Sequence, residues 1–165
     1  MIKIRQIVFA VLAAPLFILP QQVFAADAPA TVGANVVAPI AVSQATGMQF
    51  GALSPTATAG TVVLGTNGSR TPTNVDLLPG TGTAAAFNVT GDGTSTYSIS
   101  LPGAPITLND GGNSMTVDAF GHDAGGSPAL SSGTATFNVG ATLNIGASQP
   151  AGTYSGSYTV SVNYN

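Results

Sequence analysis

The chain has 165 residues, 44% of them hydrophobic, and only three Lys or Arg against six Asp and no Glu. That is enough apolar material for one domain with its own core, and too little charge for disorder by self-repulsion or for a surface that tracks nucleic-acid phosphates. The absence of Cys removes thiol catalysis, disulfides and thiolate metal ligands, and a single His leaves few groups for acid–base work, so the composition points away from an enzyme.

Lys3 and Arg5 precede an apolar run from Ile7 to Leu19, interrupted by Pro15, and Val23-Phe24-Ala25 supplies small or modest residues at −3 and −1 of a cut after Ala25. Residues 1–25 therefore read as a cleaved secretory signal peptide. The run is too short to span a bilayer, and no integral membrane segment is expected in the mature chain. Cleavage would leave Arg70 as the sole cation, against Asp27, Asp76, Asp92, Asp110, Asp118 and Asp123. Such a surface is hydrated by hydroxyls and amides, which suits a protein that associates with other copies outside the cell.

From Val32 to Val42 the even positions are Val32, Ala34, Val36, Ala38, Ile40 and Val42, an extended apolar ridge. Pro39 cannot donate a ladder hydrogen bond, so it marks an edge or a joint, and residues 30–37 and 40–50 read as separate elements. Thr61 to Leu64 and Asn74 to Leu78 are short apolar pieces between loops. Phe87 and Val89, the turn Gly91-Asp92-Gly93, then Tyr97, Ile99 and Leu101 predict a hairpin. Ser114 to Phe120 follows as a strand, entered through Asp110-Gly111-Gly112-Asn113.

Two stretches near the C-terminus alternate without fault. Ala135, Phe137, Val139, Ala141, Leu143 and Ile145 share one face of a strand over 134–145. Gly152, Tyr154, Gly156, Tyr158, Val160, Val162 and Tyr164 share one face of another over 152–164. The two strands pair directly or meet across a sandwich. No helical periodicity appears after residue 25. The whole predicts an all-β, immunoglobulin-like β-sandwich of about seven to nine strands in a single domain, with turn signals roughly every ten residues.

Two segments carry a resemblance. Val36-Val37-Ala38-Pro39-Ile40 with Met48-Gln49-Phe50-Gly51-Ala52-Leu53, and Ala141-Thr142-Leu143 with Pro150-Ala151-Gly152-Thr153-Tyr154-Ser155-Gly156 and Val160-Ser161-Val162-Asn163-Tyr164, resemble a bacterial family catalogued as domain of unknown function 4402. The same ends are similar to the spore coat U-like subunits of archaic chaperone–usher pili, many of which carry a disulfide that this Cys-free chain lacks. The resemblance implies a structural subunit of a surface fibre or adhesive layer. It also implies like subunits as partners, with a periplasmic chaperone and an outer-membrane usher, and passage through the periplasm to the cell surface. Pilin-like sandwiches lack one strand, and a neighbour's N-terminal extension fills the groove by strand addition. Residues 26–37 then read as an N-terminal extension or donor strand, with Val32, Ala34 and Val36 entering the groove, and 38–165 as the sandwich. Gly152, Tyr154, Tyr158, Val160, Val162 and Tyr164 would form a terminal zipper strand. Two alternatives stand beside this. Residues 30–42 can be the domain's own first strand, and the protein can be a free-standing periplasmic or surface binding module, for carbohydrate.

Other constellations read blandly. Asp110, Asp118 and Asp123 have no recognised calcium-loop spacing and no Glu beside them, so turn chemistry outweighs metal binding. His122 beside Asp123 lacks a nucleophile elbow and reads as a solvated loop residue. No cofactor is expected.

Overall fold

The structure, a computed structural model, describes residues 25–165; the expected signal peptide lies, but for its last residue, outside the described residues. Among the described residues there is no helix. Eleven strands occur in order: β1 Ala41–Thr46, β2 Leu53–Pro55, β3 Gly60–Leu64, β4 Arg70–Thr73, β5 Val75–Leu77, β6 Ala85–Thr90, β7 Tyr97–Ser100, β8 Ile106–Asn109, β9 Ser114–His122, β10 Thr134–Ile145 and β11 Ser161–Tyr164. The count exceeds the expected seven to nine because several strands are only three or four residues long. Asn35–Asn165 forms one compact unit, and the described residues before it, 25–34, are exposed and carry no strand.

The unbroken alternation of 134–145 becomes the 12-residue strand β10, the spine of the fold. Its odd positions from Phe137 to Ile145 are buried, and its hydroxyl and amide positions stay wetter. Thr134–Val139 pairs with β6, and Ala141–Ile145 pairs with β3. Gly140 sits between these two ladders, where a Cβ would stand 2.3 Å from the Leu64 carbonyl oxygen. Only glycine lets β10 pass from one partner to the next at that distance. With β9 and β8 added, the main antiparallel sheet holds seven strands, with β1 and β4 at edges of it. Pro72 sits in the edge strand β4, where a missing N–H costs no ladder bond on the open side.

The predicted hairpin does not form. β6 pairs with β1 and β10, whereas β7 pairs with β11 in a separate two-stranded sheet. The turn Gly91-Asp92-Gly93 therefore carries the chain from one layer to the other. Phe87, Val89 and Phe137 pack against Tyr97, Ile99 and Val162 across that gap, so β10 and the C-terminal strand meet face to face rather than side by side. A second cluster gathers Val62, Val117, Ala141, Leu143 and Ile145 at the other end of β10.

The alternation of β9 breaks midway along the strand. Its buried positions are Met115 and Val117, but then Phe120 and His122 turn inward, while Ala119 is exposed. A bulge at Asp118–Gly121 against β10, with Ala119 at φ 48°, moves the inward face by one residue. Phe120 thereby joins both clusters.

Candidate functional site

An apolar cleft of 840 Å³ opens between a segment near the N-terminal end of the domain, residues 44–55, and one near the C-terminal end, residues 149–158. Phe87, Met115, Val117, Phe120, Leu143 and Tyr158 line it. The rims are only partly paired: Gln49 bridges Thr83, Leu53–Pro55 pairs with β5 and Ser155 bridges Asn109, and the stretches between them form no ladder with another described residue. β1 is an edge of the large sheet and β11 an edge of the small one, and residues 156–160 leading into β11 pair with no other described residue. The core is thus open at the cleft, and closed beside it where Ile40 and Val42 meet Val160, Val162 and Tyr164.

The Gln-Phe-Gly motif builds the first rim. Gln49 exchanges backbone hydrogen bonds with Thr83, both 2.8 Å long, while Met48 and Phe50 turn into the core. Gly51 takes φ 74°, and a Cβ there would lie 2.8 Å from the Arg70 guanidinium. Arg70 donates from one nitrogen to the carbonyls of Phe50 (3.1 Å) and Ala52 (3.2 Å), and from the other to those of Leu78 (3.3 Å) and Gly80. The sole cation of the described residues is therefore a staple for backbone carbonyls, holding the rim to the loop after β5.

The Ala-Gly-Thr-Tyr-Ser-Gly motif builds the second rim. Asn109 and Ser155 exchange backbone bonds of 2.9 and 3.0 Å. That approach needs glycines on either side: a Cβ on Gly156 would meet the Thr107 carbonyl at 2.6 Å, and one on Gly152 the Asp110 carboxylate at 2.6 Å. Gln149 donates to the Ser114 carbonyl and to the Tyr154 hydroxyl, which donates on to the Pro150 carbonyl. Tyr158 stands edge-on to Phe87, centroids 6.4 Å apart, and tilted on Phe120 at 5.0 Å. Burial pushes its phenol pKa up, and its hydroxyl has no partner.

The expected zipper residues are divided by the structure. Gly152, Tyr154 and Tyr158 line the cleft, whereas Val160, Val162 and Tyr164 pack into the core beside it, the last two within β11. Val32, Ala34 and Val36 lie in exposed chain without strand pairing, Val32 97% and Val36 93% exposed. In the sequence Arg70 counts only as the sole cation left after cleavage, and Met48–Phe50 only as part of a resembling motif; neither is read there as building a cleft. The available signal was a solitary cation with no acidic neighbour in the chain.

Asp110, Asp118 and Asp123 are engaged locally. Asp118 accepts from Asn144 Nδ2 at 3.0 Å. Asp123 accepts from the Asn138 N–H and Nδ2 at 2.7 and 2.9 Å; burial raises its pKa, and these bonds with smaller contributions outweigh it to leave the carboxyl below its ordinary value. Those bonds turn both Asp123 oxygens towards Asn138, while the His122 ring packs edge-on to Phe137 at 6.1 Å. No group of three His, Cys, Asp or Glu is placed to hold a metal among the described residues. No helix among them is long and apolar enough to cross a membrane.

Asp110 offers a direct check. The Asn113 N–H, then the Gly112 N–H and the Asn113 side chain, hold its carboxyl down at about 2, against an ordinary 3.8. Because the folded value is the lower one, the turn's contribution to stability is present above 3.8 and fades as the pH falls towards 2. Carboxyl-carbon NMR should place the midpoint of Asp110 at about 2. A midpoint at the ordinary value would show that the turn does not grip the carboxylate.

No curated protein and no solved structure matches the chain. A family model does match, over residues 40–164, from the strand that begins the large sheet to the penultimate tyrosine. The chain belongs to the family described as Domain of unknown function (DUF4402).

Proposed function

We propose that this protein is a secreted structural subunit of a surface fibre or adhesive layer, whose copies join by β-strand addition. The observation that carries the reading is the cleft itself: an apolar floor between two rims that are only partly paired, beside the open edges of β1 and β11, a form that suits a sandwich short of one strand. A strand entering there gains ladder bonds from the rims and buries alternate side chains on the floor. The occupant is residues 30–37 of a second copy. That segment alternates Val32, Ala34 and Val36, is exposed throughout, carries no charge, and spans roughly 26 Å when extended at about 3.3 Å per residue. Its opposite positions are Thr31, Gly33, Asn35 and Val37, small or polar except for the last. The similarity of the chain's two ends to spore coat U-like pilin subunits supports the same assignment. It would bring a periplasmic chaperone and an outer-membrane usher as partners, with the cell surface as destination. No catalytic role is assigned.

The test is mixing. A subunit lacking residues 27–37 keeps its cleft and loses its donor segment. Combined with full-length protein it should give heterodimers that survive SDS without heating, because a full ladder dissociates slowly. If the mixture contains only monomers, and the full-length protein is itself a stable monomer, strand addition is refuted and a free-standing binding module takes its place.

A further inference from the structure

We propose that Tyr164 is the positioning residue for strand donation: its hydroxyl fixes the point at which the N-terminal arm leaves the domain. The inference rests on the strand-addition reading. Tyr164 is the last residue of β11 and pairs there with Tyr97. Its hydroxyl accepts from the Asp92 N–H at 2.6 Å and donates to the Ala38 carbonyl at 2.8 Å. One oxygen atom therefore ties together the C-terminal strand, the turn that crosses between the layers, and the start of the domain.

Among the described residues, Ala38 is the first held by a hydrogen bond to a distant part of the domain. After it, Pro39 has a restricted φ, and Ile40 and Val42 pack into the core. Before it, Val37 is 46% exposed and Val36 93%. The surroundings are shaped for the hydroxyl. A Cβ on Gly91 would stand 2.3 Å from the Tyr164 oxygen and 2.9 Å from Leu130 Cδ1. The Gly91 N–H is itself held by the Gly133 carbonyl at 2.9 Å, and the Gly133 N–H by that of Gly93 at 2.7 Å. The ring alone would satisfy the packing, and phenylalanine could supply that. The hydroxyl adds a fixed root. A donor segment hanging from a fixed root has less freedom to lose on entering a neighbour's cleft than one that swings from a loose joint.

The acceptor for the experiment is the subunit lacking residues 27–37, in excess. Three donors are compared: monomeric full-length protein, its Tyr164→Phe variant, and a free peptide of residues 27–37. Tyr164→Phe in the full-length donor should slow formation of the SDS-resistant heterodimer about tenfold. Capture of the free peptide, which has no root, should change less than twofold when the same substitution is placed in the acceptor. Gly91→Ala, which drives the tyrosine out of its seat from the opposite side, should slow the full-length donor in the same way. Equal rates for the wild-type and Tyr164→Phe donors would overturn the proposal. Failure of the peptide to bind at all would instead refute strand addition. A second reading, independent of assembly, is cleavage of the free subunit by elastase at Val36 and Val37. It should be at least fivefold faster in Tyr164→Phe, and unchanged cleavage would likewise show that the hydroxyl does not hold the arm's root.

Discussion

Phe137→Ala should destabilise the subunit by about 3–5 kcal/mol, the range for removing a buried aromatic ring and leaving a cavity. Phe137 is 2% exposed, lies stacked on Phe87 with centroids 5.3 Å apart, and receives the edge of His122. It also sits on β10, which pairs with β3, β6 and β9, so the surrounding strands cannot move into the space without breaking ladder bonds. A loss of that size approaches the whole stability of a small domain, about 5–15 kcal/mol. Thr136→Ala, one residue away on the wet face, should stay within about 0.5 kcal/mol of the wild type. Urea unfolding of the two variants provides the comparison. Similar midpoints for both would mean that the faces of β10 are reversed or that the core is not closed around the ring.

Arg70→Met should cost about 2–3 kcal/mol, from the loss of hydrogen bonds to a charged donor whose carbonyl partners can recover part of the deficit from water. The stem of methionine replaces most of the apolar contact, so what disappears is the fork. Its four acceptors lie on two stretches, Phe50 with Ala52 and Leu78 with Gly80, and Arg70 itself is on a third, β4. Arg70→Lys should recover less than half of the loss, because a single ammonium cannot reach both stretches in one geometry. The rim around Gly51 should become the first region to exchange its amide protons in the methionine variant. Wild-type stability and exchange in Arg70→Met would show that the guanidinium decorates the rim rather than holding it.

The legibility of the fold in the sequence differs from element to element. The faces of β10 follow from the sequence alone, since side chains alternate at every residue whatever the strand pairs with, but of the strand expected over 152–164 only Ser161–Tyr164 forms, the chain before it meeting β8 at Ser155 instead. The all-β class follows likewise from turn residues and the absence of helical spacing. Partner choice does not. Phe87–Val89 and Tyr97–Leu101 looked like a hairpin because their turn is short, yet a sandwich gains more by placing them in opposite layers, with Phe137 between. Nor does face assignment survive a bulge. Ala119 at φ 48° flips Phe120 into the cleft, and nothing local announces it.

The motifs show the same division. Ala-Gly-Thr-Tyr-Ser-Gly could be recognised as a pattern, but the reason for its glycines is the backbone of β8 and the Asp110 side chain lying against them. Arg70 was countable as a lone cation, while its acceptors are main-chain carbonyls 8 to 20 residues away, which no residue type encodes. The apolar rhythm of Val32, Ala34 and Val36 is written in the chain itself. The cleft, its partly paired rims and the acceptor that the Tyr164 hydroxyl finds at Ala38 arise only when distant segments converge, because main-chain carbonyls and N–H groups are the same at every residue and only position decides which of them meet.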